Sequence, residues 1–538
     1  MILKGKIVDI HNRRIFNGEV KVTRGIIEGI RPSEEVPDLY ILPGFIDSHV
    51  HVESSMVTPG HFAEAAVKHG TVGVVADPHE IANVLGVKGV DFMIENGRSV
   101  PFRFYFGAPS CVPATDLESS GARIGVEEIS ELLGRDEIGL LSEMMNFPGV
   151  INGDREVLEK LRIAIEKGKR IDGHAPGVTG EALKKYVEAG ITTDHEATSL
   201  EEGREKILLG MKVIIREGSA ARNLNALHPL LAEFPGDVMF CSDDIHPEML
   251  VKRHINGLVR RLVTLGYDLF DIIRSVTLNP VVHYGLDAGL LRAGDKADFI
   301  IVKDLIDFDL LETWIGGNCV YSNGTVHFKA PQAGEINNFN SASVLAGQLE
   351  VITMGDKVRV IDVTDGELVT GQQIVDAWDP GILKSRAEMD LLKIVVKERY
   401  RDLPPVVGFI KGIGLKKGAF AGSVAHDSHN IIAVGVDDES IAAVINRVIE
   451  LKGGLAVSDG EKITSLRLEI AGIMSDVPCG TIAPEYERLS SIVKHLGSRL
   501  EAPFMTLSFM SLLVIPRLKI GDRGLFLLDQ FKFVDLFC

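Results

Sequence analysis

His49 and His51, in Pro43-Gly-Phe-Ile-Asp-Ser-His-Val-His-Val-Glu53, close an apolar run with two imidazoles spaced i, i+2. Side chains alternate across a strand, so both point to one face, where they can grip one transition metal. Alone, the pair reads equally well as two histidines on a polar strand face. Single acids and histidines then recur at the ends of later apolar runs. They are Glu143 in Leu141-Ser-Glu-Met-Met145, His174 in Ile171-Asp-Gly-His-Ala-Pro176, His195 in Thr193-Asp-His-Glu-Ala197 and Asp243 in Phe240-Cys-Ser-Asp-Asp244. A lone buried histidine is more often a satisfied core residue. Six groups that each close a predicted strand, in sequence order, predict convergence on one rim.

The elements that must position them follow from hydrophobic periodicity. Strands are predicted over 45–52, 72–77, 102–108, 138–143, 170–174, 192–195, 212–216 and 238–243, with helices over 61–69, 87–96, 155–167, 180–188 and 200–208 between them. Alternating strands and helices imply parallel pairing, and eight such units over residues 45–286 predict a (β/α)8 TIM barrel of α/β class. A doubly wound open sheet ranks lower, because the polar residues mark the C-terminal strand ends, where a barrel carries its site. Residues 1–44 and 287–329 are β-rich and predict one small composite β domain. Residues 330–345, with Pro331, Gly334 and Asn337-Asn-Phe-Asn-Ser341, read as a linker. Residues 346–538 predict a C-terminal α+β domain, with helices over 385–398, 438–451 and 483–496 and a core strand in the apolar stretch 504–516.

At 538 residues, two or three domains are expected. Hydrophobic content of 45% and charged content of 25% are those of an ordinary globular chain. The formal net charge of −18 argues against a nucleic-acid binder, whose affinity rests on Lys and Arg. Five scattered cysteines without a Cys-x-x-Cys pair make a disulfide framework improbable and a reducing cytoplasm the expected location. The N-terminal residues alternate like a strand and do not read as a signal peptide. The stretch 504–516 is shorter than the ~20 residues of a membrane span, so no membrane partner is expected.

The His-x-His after a Pro-Gly-Phe-Ile-Asp strand, the later single histidines and the last-strand Asp243 resemble the amidohydrolase superfamily over residues 1–326. The chain resembles more narrowly the bacterial and archaeal adenine deaminases, essentially end to end. The motifs are His51-Val-Glu-Ser-Ser-Met56, Asp77-Pro-His-Glu-Ile-Ala-Asn-Val-Leu-Gly86, Ser142-Glu-Met-Met-Asn146, Asp172-Gly-His-Ala-Pro176, Asp194-His-Glu-Ala-Thr198, Arg216-Glu-Gly-Ser-Ala-Ala221, Ser242-Asp-Asp-Ile-His-Pro247 and Ala425-His-Asp-Ser-His-Asn430. The resemblance implies a metal-dependent barrel flanked by the composite β domain, and two divalent metal ions. One ion would take His49, His51 and Asp243, the other His174 and His195. Many binuclear relatives bridge their ions with a carboxylated lysine on the fourth strand. No lysine lies between Lys88 and Lys160 here, and Glu143 stands where a bridge is needed. Donors without Cys suit manganese, iron or zinc, and the resemblance favours manganese or iron.

The resemblance further implies hydrolysis of adenine, a small-molecule substrate, to hypoxanthine and ammonia. Asp243 would take the proton of the attacking water and pass it to the departing amino group. Glu80 and His79 are the main candidates to serve the purine ring nitrogen, with Glu53 and Glu217 behind them. Asp244 is expected to face away from Asp243 if the strand continues. His426 and His429 read first as a polar turn, with a cover over the barrel mouth or a further metal site as the alternatives, and His228, His254 and His283 read as structural. The alternative substrate is a cyclic amide or another aminopurine. A catalytically silent scaffold would be expected to lose ligands, and all six are present. A nucleic-acid deaminase is opposed by the charge and by the absence of its Pro-Cys-x-x-Cys zinc signature. Large cytoplasmic enzymes are often symmetric assemblies, so a homo-oligomer is expected.

Overall fold

The computed structural model describes residues 1–219 and 222–538. Ala220 and Ala221, the end of the Arg216-Glu-Gly-Ser-Ala-Ala221 motif, lie outside the described residues. Eight parallel strands organise the first half. They are β1 (Phe45–Val50), β2 (Thr71–Ala76), β3 (Arg103–Ala108), β4 (Ile138–Met144), β5 (Arg170–Gly173), β6 (Thr193–Asp194), β7 (Lys212–Arg216) and β8 (Val238–Cys241). β1 to β5 form one curled parallel sheet and β6 to β8 a second. Backbone hydrogen bonds join the sheets at both edges: Thr192 N to Ile171 O, 2.9 Å, and Asp243 N to His49 O, 3.0 Å. All residues of β1 and β2 are buried. Strands covered on both faces read as continuous apolar runs rather than alternating ones, which is why the sequence marks them clearly.

A separate sheet has eight strands drawn from two distant parts of the chain. Ile2–Asp9, Arg14–Thr23, Ile26–Pro32 and Tyr40–Pro43 join Phe299–Val302, Leu310–Ile315, Asn318–Ser322 and Thr325–Val326. The seam is the antiparallel pair of Tyr40–Pro43 with Phe299–Val302. The strand that leads directly into β1 is thus held in register by the chain returning after β8.

The C-terminal third builds a second eight-stranded sheet from Lys357–Asp362 to Ile463–Arg467. The helix Asp438–Leu451 packs against its Ile431–Gly435 and Gly454–Ser458 strands. That helix begins at Asp437, whose side chain accepts from Ser440 N. Two expectations fail here. The segment 385–398 is not a helix: only Ala387–Met389 makes a 3-10 turn, and Leu392–Lys397 is a central strand buried along its whole length. The β-branched run Ile394-Val395-Val396 packs on both faces and overrides the helical composition before it. The stretch 504–516 is not a strand but the helix Pro503–Ser508 followed by the 3-10 turn Phe509–Ser511. A short apolar run alone does not distinguish the two. Among the described residues, no helix is long and apolar enough to cross a membrane.

Candidate metal centre

His49 lies in β1 and His51 one residue past its end, where the backbone is still extended (φ −94°, ψ 101°). The shared face survives, and the two Nε2 atoms stand 3.2 Å apart. His51 Nδ1 sits 3.1 Å from the Asp77 carbonyl. A backbone acceptor at Nδ1 fixes the tautomer that leaves the Nε2 lone pair free for a cation.

Glu143, at the end of β4, occupies the middle of the cluster. Its Oε1 is 3.3 Å from His51 Nε2 and 4.0 Å from His49 Nε2. Its Oε2 is 2.7 Å from His174 Nδ1 and 3.1 Å from His195 Nε2. One carboxylate oxygen therefore serves each histidine pair. Asp243 Oδ1 lies 3.2 Å from His51 Nε2 and 3.6 Å from His49 Nε2. All six predicted ligand residues are buried. The trios His49, His195, Asp243 and Glu143, His174, His195 each bring donor atoms within 4.8 Å of one another. Nitrogen and carboxylate oxygen with no thiolate is a donor set that suits a divalent transition metal.

Asp243 sits two residues beyond β8 with φ 52°, a left-handed conformation that Asp tolerates better than most residues and that tends to occur at functional sites. Its backbone is bonded to β1 on both sides, accepting from His51 N at 3.2 Å as well as donating to His49 O. The strand ends at Cys241, so the expected alternation of Asp243 and Asp244 to opposite faces does not hold. Both carboxylates line one cavity, with Asp244 Oδ1 accepting from Ser54 Oγ at 2.5 Å.

The electrostatics favour positive charge. Burial works against an ionised Glu143, but His174 and His195 outweigh it and hold the carboxyl well below its usual range. Burial likewise opposes an ionised Asp243, and Arg216, with Nη1 2.6 Å from Oδ2, keeps it well below. In return, His195 is pushed up to about 9 against its own burial, chiefly by Glu143. Protons drawn onto buried imidazoles by carboxylates mark a field that a cation would also satisfy.

His79 and Glu80 follow β2 on the helix His79–Leu85 and line the same cavity. His79 Nδ1 is 3.1 Å from Asp77 Oδ2 and 3.5 Å from Glu143 Oε1. Glu80 is paired from outside the parallel strands: His426 Nδ1 makes a short contact with Oε1, and His429 Nε2 lies 2.5 Å from Oε2. The reading of these two histidines as a self-contained polar turn is therefore incomplete. The turn exists, since Ala425 N donates to His429 Nδ1 at 3.3 Å, but it presents both rings to Glu80. Glu53 and Glu217 lie off the cavity wall: Glu53 accepts from Ile81 N at 3.1 Å, and Glu217 from Arg261 at 2.8 Å.

Sequence reasoning did not single out Glu196 or Arg216 individually. Arg216 holds Glu196 through both guanidinium nitrogens while holding Asp243, and Glu196 Oε1 stands 3.6 Å from His174 Nδ1. Both lie inside quoted motifs, but a buried Glu–Arg–Asp chain across three strands has no spacing signal. His254, by contrast, is structural as expected, with Nε2 2.8 Å from Asp47 Oδ2.

Two family models match the chain: the amidohydrolase family over residues 40–321 and the adenine deaminase C-terminal domain over residues 367–532. The adenine deaminase of Salinibacter ruber is 51% identical, covering 99% of this chain and 98% of that one. That of Methanosarcina mazei is 51% identical over 99% of each chain. That of Parabacteroides distasonis is 49% identical over 100% of this chain and 99% of its own. With half the residues shared from end to end across bacteria and archaea, and the six ligand-type residues gathered at one point, the chain belongs to the adenine deaminase family of amidohydrolases.

Proposed function

We propose that the chain is a metal-dependent adenine deaminase, converting adenine and water to hypoxanthine and ammonia. The observation that carries the reading is the posture of Glu143, with one oxygen toward His49 and His51 and the other toward His174 and His195. Two divalent ions fit that posture. His49, His51 and Asp243 would hold one, His174 and His195 the other, and Glu143 would bridge them. The donors suit manganese, iron or zinc, and the family resemblance favours manganese or iron. Bound there, such ions supply Lewis acidity and a water acidic enough to ionise near neutrality.

The chain's own residues then divide the proton work. Asp243, oriented by Arg216, takes the proton released as water adds to C6 and delivers it to the departing amino group. A ring nitrogen must gain a proton as C6 becomes tetrahedral. His79, with Nδ1 held by Asp77, and Glu80, held by His426 and His429, stand on the cavity wall to serve it. The bonds between the two parallel sheets at both edges support a closed (β/α)8 barrel over residues 45–286. A composite β domain (1–44 with 287–329), a linker (330–345) and a C-terminal α+β domain (346–538) complete the proposed division. A homo-oligomer in the cytoplasm remains part of this reading. Purified protein supplied with manganese and adenine is expected to show the spectral change to hypoxanthine with stoichiometric ammonia. A folded, metal-loaded protein that leaves adenine untouched while hydrolysing a cyclic amide would replace this reading with the alternative.

A further inference from the structure

A narrow cavity opens beside the ligand cluster. Its two halves differ in origin and chemistry. The parallel strands supply the ionic half. The C-terminal third supplies the rest: an apolar wall that includes Leu368, Phe509 and Leu512, and the polar pair His426 and Asp427. Phe509 stacks on the His426 ring at 4.5 Å and 17°. An apolar wall facing an ionic half matches the face and the polar edge of a flat heteroaromatic ligand.

Asp427 is 2% exposed, and its Oδ2 has no hydrogen-bond partner. Its one ion-pair contact among the described residues is His79 Nε2, 3.8 Å from Oδ1. A buried carboxylate oxygen left unpaired is uncommon and calls for a donor. The segment carrying it is firmly held. Tyr400 donates to Ser428 O at 2.6 Å, Asn430 Nδ2 to Ser119 O at 2.9 Å, and Ser511 Oγ to His426 O at 3.1 Å. Asp427 is thus fixed before any ligand arrives, as recognition groups need to be.

We infer that Asp427 reads the imidazole N–H of the purine and thereby selects the free base over its N9-substituted forms. The inference rests on the deaminase reading. With C6 at the ligand cluster, N9 of adenine lies on the far side of the bicycle. His79 spans the same gap, with Nδ1 3.5 Å from Glu143 Oε1 and Nε2 3.8 Å from Asp427 Oδ1. The N9–H (or N7–H) is the only ring donor adenine offers, and a nucleoside carries its sugar at N9. A site built to bond a substrate N–H rejects the analogue lacking it far more strongly than an apolar pocket rejects a change of shape.

The test compares kcat/KM for adenine and 9-methyladenine in the full-length, manganese-loaded protein and in Asp427→Ala, with metal content measured on both. Wild type is expected to prefer adenine by about 10³-fold or more. In Asp427→Ala, with metal content retained, adenine loses about 100-fold, mainly through KM, and the preference falls to within about tenfold. Asp427→Asn, which keeps an acceptor oxygen and the side-chain volume, is expected to retain part of the preference and serves if the alanine variant does not fold. Loss of both substrates in equal proportion, or an unaltered preference in a folded variant, would overturn the role of Asp427 while leaving the deaminase reading intact. Wild type inactive on adenine would instead remove that reading, and this inference with it.

Discussion

Glu143 and Asp243 both belong to the proposed ligand set, and at the scale of single residues Asp243 also carries the proton work. Glu143 touches both histidine pairs, so Glu143→Gln is expected to weaken metal retention by more than the 10–100-fold typical of outer-shell changes, read by metal analysis after dialysis. Asp243→Asn keeps the shape of the side chain and removes its basicity. It is expected to lower kcat by about 10²–10⁴-fold, the range of a general acid–base group, while leaving adenine binding measurable. Near-full turnover by Asp243→Asn with normal metal would remove it as the proton carrier. Much of this site is legible in the sequence because its donors obey a local rule: His49 and His51 share a face by strand alternation, and each other ligand closes an apolar strand. Glu80 with His426 is not legible, since the partners are 346 residues apart and no periodicity links them. Asp244 was misplaced for a local reason, the left-handed backbone at Asp243 that ends the alternation.

At the scale of elements, the end of β8 is tied to β1 by one buried acid. Asp47 Oδ1 accepts from His49 N at 3.3 Å and from Ser242 N at 3.0 Å, and its Oδ2 meets Ser242 Oγ and His254. Asp47→Ala is expected to release the turn that carries Asp243 and to cost about 10–100-fold in metal affinity, with the fold retained by circular dichroism. Unaltered metal affinity in that variant would show that the backbone bonds of Asp243 to β1 suffice alone. A cap offers a smaller test away from the site: Asp437→Ala is expected to destabilise by about 1 kcal/mol, read from chemical denaturation. The parallel strands were readable because burial on both faces makes them continuous apolar runs. The same signal misled in the C-terminal third, where 504–516 is equally apolar but opens as a helix, and where the strand 392–397 falls inside a segment expected to be helical. Within that strand, Lys393 is buried against Asp438 at 2.7 Å.

Across the whole molecule, folding keeps several histidines outside the proposed ligand set neutral. Burial depresses His69 to about 4, and His246 and His283 to about 3. In the unfolded chain these rings take up protons below about pH 6.5. Their contribution is therefore complete above pH 6.5 and is lost as the pH falls from there toward 4, because the unfolded state binds the extra protons. At pH 5.5 each is expected to cost on the order of 1 kcal/mol. Rings held above their usual value, such as His195 and His426, contribute with the opposite sign, so the effect is read by difference: between pH 7.5 and 5.5, His283→Gln should lose about 1 kcal/mol less stability than wild type, measured from urea midpoints. An unaltered pH difference in the folded His283→Gln variant would contradict the depressed value. The partition of function is also a property of the whole. The ionic half of the cavity comes from strands within the first 243 residues, whereas Glu80 and the apolar wall depend on residues beyond 367.

The most direct test is a metal titration of activity. Protein stripped with a chelator is reconstituted with increasing manganese, and ammonia release from adenine is followed at each step, for wild type and for His49→Ala and Glu143→Gln. Activity that is absent without metal, rises to a plateau at two ions per chain and is lost in both variants is the predicted result. Full adenine turnover by the stripped protein, or by a Glu143→Gln variant without bound metal, would contradict it.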